Sequence, residues 1–369
     1  MQSLRIVPDL RSSVVEEKPA SQALLFTSQR DDAEAALLED PSVRPFTWSR
    51  LVDAARDPDL ELLEVAEPLW LGEWVRAVRY VLLVRVLRAL RPGRGPVTVA
   101  TYAIENLDAR ERLSFRALET RPVLSAVASR LAVLGLGLSV LLLDAVVFGT
   151  TGAAENYRRS FGWALRRTRH TVLTPRVSAC TVCGPTVVEG ARDRTVLFLG
   201  APSERKGFPV LMEAWERSGA AVRGWQLVVA DPNGPADRPV AAGVAIRVGM
   251  PRSEVHGLLR TGAVVALPSV RRPGWREQIG LPLVEGLAHG CRVVTTTETG
   301  LADDLRGHPL VVVTAPGDPE SLADGLRRAM EPGDGVAGPA AAGPGCEGST
   351  KRDVVAWWLS GGPGGPRSR

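Results

Sequence analysis

Two glutamates, Glu277 and Glu285, stand eight positions apart in the stretch EQIGLPLVEGLAHG, residues 277–290. Between them, Gly280-Leu281-Pro282 reads as the entry to a helix. Pro282 suits the first helical position, because its missing N–H costs nothing there. Leu283, Val284, Leu287 and Ala288 supply a buried stripe, and Gly290 fits the helix end. On this reading Glu285 falls in the first helical turn and Glu277 in the approach loop. The backbone N–H groups near Gly280 lie at the positive end of the helix, a ready anion site. Upstream, Arg205-Lys206-Gly207 follows a strand-like run that ends at Gly200. Carboxylates accept strong hydrogen bonds. Acids and bases in this arrangement suit a site that holds a sugar by its hydroxyls and a diphosphate by its charge.

The elements that must position these residues read as two α/β halves. In the first half the strand candidates are Gln22–Thr27, Leu60–Val65, Val97–Tyr102, Asp144–Gly149 and Thr171–Thr174, with helices such as Trp74–Leu90 and Ala154–Arg167 between them. In the second they are Thr195–Leu199, Gln226–Ala230, Ala245–Val248, Ala263–Pro268, Arg292–Thr296 and Leu310–Val313. Alternating strands and helices predict parallel sheets covered by helices. Residues 175–194, rich in Pro, Cys, Gly and Thr, read as the crossing between the halves. Residues 332–348 are Gly/Pro/Ala-rich and read as disordered, and Lys351–Leu359 as a short helix that docks back.

The second half resembles family 4 retaining glycosyltransferases, the "glycosyl transferases group 1" type with the GT-B fold. The likeness runs over roughly residues 195–330. TVLFLGAPSERKGFPVLMEAW is similar to the family's strand, phosphate loop and helix. IRVGMPRSEVHGLLRTGAVVALPSV resembles its next strand, short helix and strand, and EGLAHGCRVVTTTETGLADDL its final βαβ passage. Glu277 and Glu285 match the E-x7-E signature. The resemblance implies two Rossmann-like domains with parallel sheets facing a central cleft. Residues 1–175 would form the acceptor side, residues 176–331 the donor side, and residues 332–369 a tail. It implies that Glu277 contacts the transferred sugar, that Glu285 holds the ribose, and that Lys206, with Arg205 beside it, binds the donor diphosphate. Gly280, Leu281 and Pro282 would bring backbone to the sugar and phosphates, and Gly200 and Ser269 complete the donor-binding set. Many members carry Arg directly after the strand-ending glycine, where this chain has Ala201. Either Arg205 compensates or phosphate binding is weaker. The first half departs further. Ala23-Leu-Leu-Phe-Thr-Ser28 runs on without the family's Gly-Gly loop, and no histidine precedes His170. Ile104-Glu105-Asn106 and Gly149-Thr150-Thr151-Gly152 follow strand ends and are candidates for an acceptor wall.

Composition sets the outer bounds. A chain of 369 residues with 45% hydrophobic content accommodates two cored domains. Only Lys18, Lys206 and Lys351 are lysine among 45 basic residues, so a lysine in the phosphate loop suggests a need for a compact, mobile charge. The formal charge of +4 suits anionic substrates or an acidic membrane surface. No basic tract interleaves with aromatics, so nucleic acid is not expected as a partner. Asp57-Pro58-Asp59 precedes a strand and does not read as a metal-nucleotide motif. Cys180-Thr181-Val182-Cys183 is a lone CxxC. A zinc site needs two further ligands, and the four histidines show no partner spacing, so no metal is expected. Gly135-Leu136-Gly137 reads as a helix-packing feature. Residues 131–143, LAVLGLGLSVLLL, are too short to span a bilayer and read as a buried helix running into a strand. Arginines scattered over 74–91 read as surface packing, with interfacial membrane attachment as the lesser alternative. No secretory signal is apparent, and the cysteines form no disulfide framework. The expected place is the cytoplasm of a bacterium, with the inner face of its plasma membrane as the alternative.

These readings converge on a retaining transferase that takes a sugar from a nucleotide-diphosphate donor, without a cofactor. The acceptor would be a hydroxyl of a polysaccharide, glycolipid or small metabolite. The missing general base agrees with a front-face reaction in which the donor phosphate helps deprotonate the acceptor. Two rivals remain. One is a GT-B protein that binds nucleotides or scaffolds without catalysis, favoured by Ala201. The other is a nucleotide-sugar epimerase, disfavoured by the sparse histidines.

Overall fold

The computed structural model describes residues 2–29, 38–91, 95–113, 122–175, 180, 183, 192–234, 241–331 and 349–360. It divides the chain into two compact units. Unit 1 comprises Met1–Thr174 and Ser349–Arg369, and unit 2 comprises Pro175–Gly348.

Unit 1 runs β1 (Ser3–Leu10), α1 (Ser12–Glu16), β2 (Gln22–Gln29), β3 (Val43–Pro45), α2 (Trp48–Arg56), β4 (Leu62–Glu64), α3 (Leu71–Ala89), β5 (Thr98–Ala103), α4 (Ala109–Arg112), α5 (Pro122–Val140), β6 (Ala145–Phe148), α6 (Thr151–Leu165) and β7 (Arg169–Val172). Its described strands form one seven-stranded sheet in the order β3-β2-β1-β4-β5-β6-β7, parallel throughout. β1 has no counterpart among the sequence-expected strands. Pro8 and the charges of Arg5 and Asp9 mask its alternation. Pro8 is tolerated because β4 pairs only with Ser3–Arg5 and leaves the far end of β1 single-sided. The loop after the true first strand, residues 11–21, also carries no glycine.

Unit 2 runs β8 (Asp193–Leu199), α7 (Phe208–Ser218), β9 (Gln226–Asp231), β10 (Val244–Val248), α8 (Arg252–Thr261), β11 (Gly262–Leu267), α9 (Leu281–Ala288), β12 (Arg292–Thr296), β13 (Val311–Thr314) and α10 (Pro319–Met330). All six of its strands match the sequence expectation to within two residues. The parallel sheet has the order β10-β9-β8-β11-β12-β13. Consecutive Val and Leu along β8, β11 and β12 bury both faces, as strands covered by helices on each side require. The strand order reverses between β8 and β11. In open α/β sheets that switch point, at the strands' C-terminal ends, is where ligands collect.

α11 (Lys351–Leu359) belongs to unit 1. A Thr350–Asp353 capping box starts it. Val354, Val355 and Trp358 pack on Leu62, Ala100, Ala145 and Val147. The Lys351 ammonium is buried in an ion pair with Glu64, which Arg5 also reaches at 3.2 Å. Burial alone would raise the Glu64 carboxyl, but the two cations and the hydrogen bonds around it bring it below its usual range.

The stretch expected as a buried helix is instead the C-terminal part of a half-exposed one. α5 turns Leu136 and Val140 inward, while Leu124, Val127, Leu131, Leu134 and Leu138 stay exposed, Leu131 by 63%. This three-four spacing puts them on one face. Gly137 permits close packing, since a Cβ there would stand 2.7 Å from the Trp163 ring; Gly135 has open space. Two of the arginines of α3 bind distant protein groups. Arg88 donates to the Asp57 and Leu60 carbonyls at 2.7 and 2.8 Å, and Arg85 pairs with Asp144. Among the described residues no helix is long and apolar enough to cross a membrane. Residues 332–348 lie outside the described residues, as do all but Cys180, Cys183, Arg192, Asp193 and Arg194 of the stretch 176–194.

Candidate functional site

The loops at the unit 2 switch point bring most of the sequence-predicted residues together. After β8 the chain turns at Gly200 and enters a single 3-10 turn, Glu204–Lys206. Gly207 ends that turn with φ +70° and heads α7. A Cβ at Gly207 would lie 1.8 Å from the Pro268 carbonyl oxygen, so only glycine lets the loops after β8 and β11 approach this closely. The Val270 N–H donates to the Arg205 carbonyl at 3.0 Å, binding the same two loops.

Lys206 and Glu277 meet across this junction. The Lys206 Nζ lies 2.5 Å from Glu277 Oε2, and the buried Ser269 hydroxyl donates to the same oxygen at 3.1 Å. Their side chains are 16% and 12% exposed, so the pair is more shielded than a surface ion pair. Glu277 is also held by a parallel bridge to Thr299. The Arg205 guanidinium stacks over the Trp275 ring, 4.8 Å from its centroid, and Lys206 lies 5.9 Å from the same ring. Arg205 is thus turned toward Trp275, a partner that the sequence did not single out.

Gly280 caps α9 with φ +88°, and a Cβ there would strike Thr299 at 2.5 Å. Leu281 is the first helical residue and Pro282 the second. Glu285 is therefore the fifth helical residue and lies just past the first turn, where it was expected, because the helix begins one residue earlier, at Leu281. Arg252 at the start of α8 pairs with Glu285 at 2.7 Å, so Glu285 is supported from a neighbouring helix. Arg252 carried no sequence signal, since charge alone does not say which helix starts converge. Gly290 follows the helix with φ +74°, and His289 Nδ1 bonds the Glu285 carbonyl at 2.7 Å.

Histidine spacing along the chain gave no indication of partners for the CxxC, but the fold supplies two. Cys180, Cys183, His256 and His289 gather with their ligand atoms within 4.8 Å of one another.

In unit 1 the proposed acceptor-wall residues are largely enclosed. Glu105, Asn106 and Thr150 are buried. Thr150 caps α6 and donates to Asn106, and Asn156 donates to the Glu105 and Leu107 carbonyls. At their centre Glu67 accepts from Tyr157 at 2.8 Å and from the Ile104 and Glu105 N–H groups. Burial, then the nearby Glu105, push the Glu67 carboxyl up to about 8. Tight side-chain packing at strand ends left no periodic trace by which the sequence could reveal this cluster.

Residues 193–332 match the family described as "Glycosyl transferases group 1". No curated protein sequence matches the chain significantly. Among solved structures, HepE of Anabaena in complex with UDP is similar at 14% identity and TM-score 0.60, with 93% of each chain covered. The UDP-forming α,α-trehalose-phosphate synthase from Burkholderia xenovorans is similar at 14% identity and TM-score 0.54, covering 98% of this chain and 96% of that one. WaaG, a glycosyltransferase involved in lipopolysaccharide biosynthesis, is similar at 15% identity and TM-score 0.52, covering 89% and 90%. The fold is therefore that of the GT-B glycosyltransferases, and unit 2 carries the sequence pattern of glycosyl transferases group 1.

Proposed function

We propose that the protein is a retaining glycosyltransferase that takes a sugar from a nucleotide-diphosphate donor bound on unit 2. The Lys206–Glu277 pair at the β8/β11 switch point carries this reading most directly. A lysine of that kind, freed from its glutamate, is placed to meet a diphosphate. The head of α9 beside it adds the positive end of a helix dipole. Lys206, Arg205 and that helix head neutralise the charge that builds on the departing diphosphate, which is transition-state electrostatics. Glu277 orients the transferred sugar, with Ser269 fixing its carboxylate, and Glu285 anchors the ribose with Arg252 behind it. Gly200, Gly280, Leu281 and Pro282 keep backbone close to the donor. Similar structures hold UDP, and one holds UDP-glucose, which supports a nucleotide-sugar donor here. No catalytic metal takes part in this scheme.

The acceptor hydroxyl belongs to a glycan, glycolipid or small metabolite, as in bacterial polysaccharide assembly, and unit 1 is the acceptor unit. The exposed stripe of α5 supports peripheral contact with the inner face of the plasma membrane.

Incubation with common nucleotide sugars tests the chemistry, because a transferase hydrolyses its donor slowly when no acceptor is present. The expected result is release of the free sugar with the donor's anomeric configuration, followed by NMR. Release with inversion would contradict the retaining mechanism. The absence of release from any donor would contradict catalysis.

A further inference from the structure

Four side chains of unit 2 that play no part in the donor site converge on one point. Cys180 and Cys183 come from the stretch before β8, His256 from the middle of α8, and His289 from the end of α9. His256 Nδ1 lies 3.5 Å from Cys180 Sγ, 3.5 Å from Cys183 Sγ and 3.2 Å from His289 Nε2. Both histidines are buried. All three cysteines among the described residues are free thiols.

Hydrogen bonding alone accounts poorly for this cluster. A carbonyl oxygen can only accept, so the 2.7 Å contact with the Glu285 carbonyl puts the imidazole proton on His289 Nδ1. His289 Nε2 then presents a lone pair to the cluster. His256 Nδ1 has at most one proton to share among three close neighbours. Four soft or borderline donors facing inward are the donor set of a tetrahedral cation.

The spacing agrees. With Zn–S of about 2.3 Å and Zn–N of about 2.05 Å, tetrahedral geometry puts sulfur about 3.6 Å from nitrogen and the two nitrogens about 3.3 Å apart. The observed 3.5, 3.5 and 3.2 Å lie within about 0.1 Å of those values. The surroundings also fit a ligand set. The Glu285 carbonyl orients His289, as outer partners of metal-bound histidines commonly do. The Cys183 N–H donates to Cys180 Sγ at 3.4 Å, and the Cys180 N–H reaches the Ala288 carbonyl at the end of α9.

We propose that Cys180, Cys183, His256 and His289 bind a structural zinc ion. The protein fills all four positions, so the ion has no open site for substrate and acts as a staple. It ties the stretch before β8 to α8 and to the C-terminal end of α9. The same two helices carry Arg252 and Glu285 at the donor site. Both thiols lose their protons on binding, so two thiolates and two neutral imidazoles leave the centre without net charge. The site is independent of the glycosyltransferase reading, since the metal makes no contact with the donor in this scheme.

Metal analysis of the full chain, purified without chelator or affinity metal, tests the proposal. About one zinc per chain is expected. Exchange for cobalt should bring the thiolate-to-cobalt charge-transfer band and the strong visible bands of a tetrahedral ion. Cys183→Ser and His256→Ala should each lose the zinc and the bands. Should either variant fail to fold, the cobalt spectrum of the unaltered chain decides alone. Folded protein that holds no stoichiometric zinc and stays colourless with cobalt would overturn the proposal. So would variants that keep both the metal and the spectrum.

Discussion

Lys206 and Glu277 meet at the end of β8 as a largely shielded ion pair. In the proposed donor site a diphosphate competes with Glu277 for the Lys206 ammonium, because the two side chains are in contact. Truncating each partner therefore has a different effect. With the proposed roles, Glu277→Ala removes the group that orients the sugar but releases the lysine, so kcat should fall by about a hundredfold or more. Nucleotide Kd should hold steady or improve. Steady-state kinetics beside a nucleotide titration separates the two effects, and equal loss of both would refute the division of roles. The Arg205–Trp275 stack makes Arg205 the less direct of the two proposed phosphate ligands. An arginine holds its charge on a planar group that packs well on a ring, whereas a lysine offers a compact charge on a flexible stem.

Glu67 is the main consequence at the scale of elements, because the C-terminal ends of β4 and β5 enclose it with Glu105 and Tyr157. Its folded-state value of about 8 lies above the ordinary 4.5. Between those values the native protein keeps a proton that the unfolded chain releases, so stability falls as pH rises through this window. Glu67→Gln should flatten that fall between about pH 5 and 8. Denaturant midpoints across the range measure it, and an unchanged slope would place the proton elsewhere. This cluster also marks where the sequence ceased to be legible. In unit 2 the apolar runs of β8 and β11 end at Gly200 and Pro268, so these strands, and the loops at their ends that carry the candidate site residues, could be located from the sequence. In unit 1, Pro8 obscured the central β1, and the three residues of β3 are too short to form a pattern. The helix 122–140 has apolar residues on every side, so hydropathy could not say which face is buried. The distant pairings Arg252–Glu285, Lys351–Glu64 and CxxC–His256–His289 depend on how helices converge, which spacing along the chain does not encode.

The whole molecule combines a unit 2 that carries the glycosyl transferases group 1 pattern over residues 193–332 with a unit 1 that has few of the expected motifs. Such a division suits an enzyme whose donor chemistry is common and whose acceptor is its own. The apolar stripe of α5 extends this to location. Full-length protein should sediment with anionic phospholipid vesicles at low salt, and Leu131→Glu should weaken that binding. Indifference to vesicles would remove the membrane from the account. Thermal unfolding with UDP, GDP, ADP, TDP and their common sugars, for the natural chain and for Lys206→Ala, probes the proposed nucleotide-sugar site at Lys206. A ligand at a hundredfold excess over Kd stabilises the fold by about 2.7 kcal/mol. A clear rise in Tm with one nucleotide, lost in the variant, is expected. A Tm that no nucleotide moves, or one that moves equally in Lys206→Ala, would contradict the proposed site.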